Sequence, residues 1–463
     1  MAGQISKLFF WVHQLKKIVW EPFWWIILMI IVFWVPFLRP WWWIFAPLFL
    51  SIELRVLYLW WVRWDYAHAK TKWVTLEIIT PKETLIPLKA MEDVFAVMWG
   101  PLYNFANWRE RWCEGALDDA PGWMSWEIAS IEGNLHFYLR VTADHRLSVE
   151  TILYSHYPEL EISEVPDYTK NVPQNIPNEE WNTYGEDFVL GKVDAYPIKT
   201  YEKFFEPQGE RIRVEEKRID PISSLLELIS KLGPGEQYWI QFITMSIDED
   251  GWKEKALAII NKLSKREVKK PKTLWNDLAE ISHNVIVGPI KDGSGSKATY
   301  RWLKAATSKT VDREMLLTPG ERDTIEEIEN KLKKPTFRTS IRGVYVAKRE
   351  NWNNSHRIIG RSYFAHFQTQ NLNHLRFSTT TRPKTHYIFR KRIPFLRTRR
   401  MFRNYTLRFP PLFPNRTKEC PILNTEELAT LFHFPLKITG LAFPTMSRVQ
   451  SKKGGPPSNL PTE

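Results

Sequence analysis

Only two cysteines, Cys113 and Cys420, occur in this 463-residue chain. That number argues against a disulfide scaffold, a zinc finger and an iron–sulfur protein, and both thiols read as small buried hydrophobes. Signatures of nucleotide and hydrolytic chemistry are missing as well: there is no nucleophile elbow, no H-E-x-x-H and no dinucleotide fingerprint. The nearest approach to a phosphate loop runs from Gly288 to Lys297. Ser294 stands where a lysine should follow the second glycine, and Ala298 follows Lys297 where a hydroxyl is needed, so the stretch reads as a flexible loop. His136, His145 beside Asp144, His356, His366 and His374 are not spaced to commit any two to one metal. The expectation is a chain that is not an enzyme, with no cofactor and no metal.

Length implies two or three folded units. A charged content of 25% and a hydrophobic content of 44% rule out an entirely disordered chain. Tryptophan is abundant, with 23 in all and 11 of them before residue 65. Residues 22–38, PFWWIILMIIVFWVPFL, carry no charge, and a second apolar stretch, 41–62, is interrupted by Glu53 and Arg55. About 17–20 apolar residues are enough to span a bilayer as a helix. Trp24, Trp25, Trp34, Trp41, Trp42 and Trp43 sit near the segment ends, where indole rings favour the headgroup level. Lys7, Lys16 and Lys17 before, with Arg63, Lys70 and Lys72 after, place both ends in the cytoplasm. The expectation for 1–72 is a transmembrane helical hairpin with spans at 22–38 and 41–62. Alternatives are one span plus an interfacial amphipathic helix, and buried helices of a folded domain.

The remainder is patterned as α+β. Strand-like 73–80, a helix over 85–99, strands SWEIASI and NLHFYLRV joined at Glu132-Gly133, a helix over 147–157 and strand-like 159–165 follow in the order β-α-β-β-α-β. That order is the ferredoxin-like plan. A linker is expected at 166–186. A second α+β unit over 187–380 repeats the order, with strands near 187–201, 238–245, 339–347 and 372–379 and helices near 221–232 and 355–369. A charged helical insertion interrupts it at 248–334. The fold class is therefore α+β: a transmembrane hairpin followed by two ferredoxin-like units, with the helical insertion and a basic C-terminal extension.

Acidic residues nearly vanish between 331 and 420, where 22 Lys+Arg face 2 acids. The densest part, within a basic segment at 381–420, is Arg390, Lys391, Arg392, Arg397, Arg399, Arg400, Arg403 and Arg408, interleaved with Phe389, Phe395, Phe402 and Tyr405. Arginines pair with phosphates, and aromatic rings stack on exposed bases, so nucleic acid, anionic lipid and an acidic protein are the candidate partners, with an ordinary basic surface as the plain alternative.

Residues 421–463 hold a short helix, capped by Asn424 or Thr425, with Leu428, Leu431 and Phe432 on its apolar side and Pro435 past its end. A Gly/Pro-rich tail follows. The passages LNTEELATLFHFP and SKKGGPPSNLP together resemble the region just upstream of the motor in conjugative type IV secretion and HerA/FtsK-like DNA-translocating ATPases. The resemblance covers the hairpin, the general α+β organisation and, most specifically, 421–461; the sequence stops where the motor would begin. It implies a non-catalytic, multi-pass subunit at the inner membrane, its C-terminal part cytoplasmic, within a conjugation or DNA-translocation machine. It also implies docking of a separate motor ATPase through Leu423, Glu426, Leu428, Leu431, Phe432 and Phe434, contact with DNA and the bilayer, and a homo-oligomer or larger complex. A helix packed on its own domain explains 423–435 equally well. The competing class is a membrane-bound scaffold whose basic region holds anionic lipid or an acidic protein.

Overall fold

In the computed structural model the described residues are 29–44 with scattered positions between 27 and 61, then 71–80, 86–103, 122–204, 220–247, 250–264, 290–292, 299–301, 317–384, 390–409 and 420–435. Strand β1 (Trp73–Ile79), helix α1 (Leu88–Leu102), β2 (Met124–Ile131), β3 (Asn134–Thr142), α2 (Arg146–His156) and β4 (Glu161–Glu164) come first. Next are β5 (Trp181–Leu190), α3 (Ser223–Ser230) and β6 (Glu236–Ser246). A second compact unit, 249–333, holds α4 (Asp250–Leu263), the hairpin β7 (Ile290–Asp292) and β8 (Thr299–Arg301), and α5 (Pro319–Lys333). Finally come β9 (Thr336–Lys348), α6 (Ile359–Ala365), β10 (Leu375–Phe377), α7 (Arg392–Thr406), β11 (Ile422–Asn424) and α8 (Thr425–Leu431).

All described strands of the first unit lie in one antiparallel sheet, ordered β10-β5-β9-β6-β2-β3-β1-β4, with β11 added to β9. The order is a palindrome. Within 73–164 the strands run β4-β1-β3-β2, and within 181–377 they run β10-β5-β9-β6, so each half has the ferredoxin-like arrangement. The halves join where β2 pairs β6, from Met124↔Thr244 to Ile131↔Gln237. Antiparallel pairing of corresponding strands relates the halves by a local twofold, and the sheet continues without a break across the junction.

Side chains alternate across a strand, and here both faces are used. Trp126 and Ile128 of β2, Ile240 and Phe242 of β6, and Ile341 and Tyr345 of β9 point to one face, where they meet Phe95, Leu153, Leu226 and Phe364 of α1, α2, α3 and α6. The intervening Ala129, Trp239, Val344 and Val346 point to the other face, against Tyr168, Val172, Ile176 and the α7 residues Met401, Phe402 and Tyr405. Every residue of β6 is buried as a result. The stretch expected as a linker contributes buried side chains, with a short 3-10 turn at Tyr168–Asn171.

Glu132 (φ 54°) and Gly133 (φ 85°) make the two-residue β2–β3 turn with both residues in the left-handed region, the geometry that matches strand twist. This tip abuts the end of α3 in the other half. Glu132 Oε1 accepts the Gly235 N–H at 2.9 Å, and a Cβ on Gly133 would lie 2.9 Å from the carbonyl oxygens of Ser230 and Leu232. In the second unit α4 packs on α5, with Trp252, Ala256 and Ile260 buried along one stripe of α4.

The transmembrane hairpin is corrected. Among the described residues no helix is long and apolar enough to cross a membrane. In the first expected span the described helix ends before a bend at Val35, and a 3-10 turn occupies Arg39–Trp41. Hydropathy reports the transfer preference of a segment, whereas spanning also needs an unbroken helix of bilayer length. Trp34, Trp41, Trp42 and Trp43 are exposed, and the spanning helices whose ends they were expected to mark are not found among the described residues. Trp24 and Trp25 lie outside the described residues.

Candidate functional site

Helix α7 forms from the most basic text in the chain because its sparse apolar residues fall at helical spacing. Thr398, Met401, Phe402 and Tyr405 make one buried stripe, and Pro394 sits in the first turn, where no N–H is required of it. Trp239 of β6 lies beneath, its ring centroid 5.4 Å from that of Tyr405. Burying this stripe turns Arg392 and Arg399 outward, next to exposed Arg390 and Lys391. Phe395 and Leu396 on the helix, and Leu407 just past its end, are also exposed, at 43%, 41% and 41%. Arg397, Arg400 and Arg403 are half-buried. Burial, then the charges of Arg403 and Arg397, pushes the Arg400 guanidinium down to about 10; burial and Arg399 lower Arg403. Burial is the larger cause of both shifts, and the neighbouring arginine charges add to it.

Arg408 differs from the others. It closes α7 at φ 51°, and its guanidinium is buried under the helix. Nε and Nη2 donate to Glu127 Oε1 and Oε2 at 3.0 and 3.1 Å, and Nη1 and Nη2 donate to Asp167 Oδ2 and Oδ1 at 2.5 and 2.9 Å. Glu127 also accepts from Ser125 Oγ, Tyr168 Oη and Gln241 Nε2 at 2.5, 2.6 and 2.9 Å. Burial alone would raise the Glu127 carboxyl, but the charge and hydrogen bonds of Arg408, with those of Ser125 and Tyr168, hold it below its ordinary value. Asp167 is held low in the same way by Arg408, Thr169 and Arg140. Tyr168, donating to Glu127, takes its own hydrogen bond from Tyr405 Oη at 2.8 Å. On β9 Arg342 donates through Nε to Asp187 at 3.0 Å and through Nη1 to the Asn404 carbonyl at 3.1 Å. These bonds clasp α7 to the sheet. Arg408 is thus removed from the expected binding surface, its fork spent on buried Glu127 and partly buried Asp167.

The expected docking residues lie in the core. Leu423, Leu428, Leu431, Phe432 and Phe434 are buried, and Phe432 packs within 5.2 Å of Trp126, centroid to centroid. Glu426 pairs with Lys334 at 2.7 Å, and Lys334 also reaches Glu92 at 2.8 Å. Asn424 and Glu427 form a capping box, and the Glu427 side chain also accepts the Ile198 N–H at 2.8 Å. A motor-docking role for these six residues is corrected: their side chains complete this domain and present no outer face.

Three histidine–carboxylate pairs were invisible in the sequence, because each joins distant positions. His136 Nδ1 lies 2.6 Å from Glu77, His356 Nδ1 lies 2.9 Å from Glu236, and buried His433 Nε2 lies 2.6 Å from Asp220. Glu236 also accepts from Tyr345 Oη and the Gly233 N–H. Among the described residues no group of three or more His, Cys, Asp or Glu side chains is arranged to hold a metal ion. Of the loop from Gly288 to Lys297, Ile290–Asp292 form β7 and the rest lies outside the described residues.

No protein-family model matches this chain, and no curated protein sequence matches it either. The resemblance to type IV secretion and DNA-translocating ATPases is accordingly withdrawn, and with it the conjugation-machine subunit. The bilayer, the separate motor ATPase and further copies of the chain, expected as partners, rested on that resemblance and on the hairpin and fall with them; DNA, expected from the basic segment as well, finds no support in either comparison. No described helix is long and apolar enough to cross a bilayer, so a multi-pass inner-membrane location is not supported, and the membrane-bound scaffold loses its expected anchor.

Proposed function

We propose that this chain is a binding module and not an enzyme, and that α7 presents a cationic, partly apolar face to an acidic protein partner. One observation carries the reading: α7 is fixed to the sheet by buried residues while Arg390, Lys391, Arg392 and Arg399 stay exposed beside Phe395, Leu396 and Leu407. Interleaved apolar and cationic side chains suit an acidic amphipathic segment better than a phosphate backbone, which asks for charge alone. The carboxylates, tyrosines and buried arginine below the helix already satisfy one another, so they support the face instead of reacting.

The test is binding of the whole chain to an acidic amphipathic peptide, a neutral peptide of equal length and duplex DNA, each over a salt series. Selective, salt-sensitive binding of the acidic peptide, weakened about tenfold or more by combined Arg392→Glu and Arg399→Glu, is expected. Equal binding by that variant, or a preference for DNA, overturns the reading.

A further inference from the structure

The outermost strand beside α7 offers a way to hold such a partner by its backbone. β10 ends the sheet on one side, pairing only with β5 among the described residues, through Leu375↔Leu190, Arg376↔Val189 and Phe377↔Phe188. The Gly191 N–H donates to His374 O at 2.9 Å, and the Ser378 N–H donates to Asp187 O at 2.7 Å. Hydrogen-bonded and non-bonded positions alternate in an antiparallel ladder. Positions 374, 376 and 378 therefore face β5, and the N–H and C=O groups of Leu375 and Phe377 point away from the sheet.

The surroundings of this edge are cationic. Arg376 is exposed between the two outward positions. Arg361 and Arg382 lie over the Phe377 ring, 4.3 and 4.6 Å from its centroid, and both approach the single carboxylate of Glu186. Arg397 of α7 donates to the carbonyls of Arg382 and Lys384 at 2.9 and 3.4 Å, so the chain leaving β10 is tied to the basic helix. At the far end of the sheet β4 carries two exposed carboxylates, Glu161 and Glu164, the second paired with Arg146, and no exposed cation of its own, so it offers an acidic strand no counterpart to Arg376.

From the outward backbone groups and this contrast between the edges, we infer that an extended acidic segment of a partner protein adds as a further strand to β10. Its backbone would pair with Leu375 and Phe377, and its carboxylates would meet Arg376 and the cations of α7. Main-chain pairing supplies affinity in such additions, and the flanking charges select the sequence. The inference rests on the acidic-partner reading but asks for a specific site and a strand conformation.

The probe is a short peptide of alternating glutamate and valine, titrated into the whole chain, beside the same peptide N-methylated at alternate residues so that one backbone edge cannot donate. Strand addition predicts that N-methylation weakens binding about tenfold or more, that Arg376→Glu does likewise, and that hydrogen exchange at Leu375 and Phe377 slows in the complex. Unchanged affinity of the methylated peptide, with binding still lost in the Arg392→Glu, Arg399→Glu variant, overturns strand addition and leaves the α7 reading intact. Failure of both peptides to bind overturns both.

Discussion

Arg408 and Glu127, 281 positions apart in the chain, meet in a buried two-pronged ion pair with N–O distances of 3.0 and 3.1 Å. It joins the end of the basic helix to the second strand of the sheet, close to the seam between the two halves. Taking two charges out of water is costly, and parallel guanidinium–carboxylate bonds with further donors offset that cost.

Removing one partner should therefore cost more than removing both. Arg408→Met leaves buried Glu127 without its counter-charge and partly buried Asp167 without its nearest one, and should lower stability by about 3–5 kcal/mol. Adding Glu127→Gln to Arg408→Met should cost less than the sum of the single changes in urea unfolding. Additive losses would show that the pair is not coupled.

Acid should weaken the same clasp. Arg408 holds the Glu127 and Asp167 carboxyls below their ordinary values of 4.5 and 3.8 despite burial. Groups with a depressed folded-state pKa contribute stability that is fully present above the ordinary value and is lost as pH falls through the folded one. The urea midpoint should stay level through neutral and mildly acidic pH as far as these groups govern it, then fall below about pH 4.5. The fall should be shallower in the Glu127→Gln, Arg408→Met background. An unchanged acid limb there would assign the transition to other groups.

The segment 420–435 should behave as core. Phe432→Ala should cost about 3–5 kcal/mol, as for other buried aromatic truncations. Asn424→Ala should cost about 1 kcal/mol through loss of the helix cap. Thermal unfolding would read both. A change near zero for Phe432→Ala would mean that the segment is peripheral.

Two glycines should respond with opposite sign. Gly133→Ala forces a left-handed φ on alanine and sets its Cβ against two carbonyl oxygens at 2.9 Å. A loss of at least about 1 kcal/mol is expected. Gly100, inside α1 with open space where its Cβ would project, should gain about 0.5 kcal/mol on substitution by alanine. Differential scanning fluorimetry of the two variants, side by side, would reveal a wrong sign in either.

Elements whose signal lies within a few residues were legible. SWEIASI, the Glu132-Gly133 turn and NLHFYLRV become β2, its turn and β3, because alternation and turn chemistry are local. β5 was harder: the expected strand began at 187, whereas the structure starts it at Trp181, through Asn182, Thr183 and Gly185. Polar and glycine residues there gain strand geometry from pairing with β9, from Trp181↔Lys348 onward. Leu423–Phe434 showed its cap and apolar stripe but not its direction. Ile198 and Lys334, which engage Glu427 and Glu426, lie far away in sequence.

Strand alternation, an element order that repeats in two halves and the crowding of positive charge into 331–420 are all legible without coordinates. Each is written in neighbouring residues or in composition, and survives in any compact state. Tertiary structure alone decided that the two halves share one sheet, that the C-terminal passage fills its core and that the early tryptophans mark no described spanning helix. It also decided that Arg408 is a buried partner of Glu127, while Arg392 and Arg399, on the same basic stretch, face outward. An arginine's role depends on whether a carboxylate awaits it on the side its helix buries, and that carboxylate was 281 residues away.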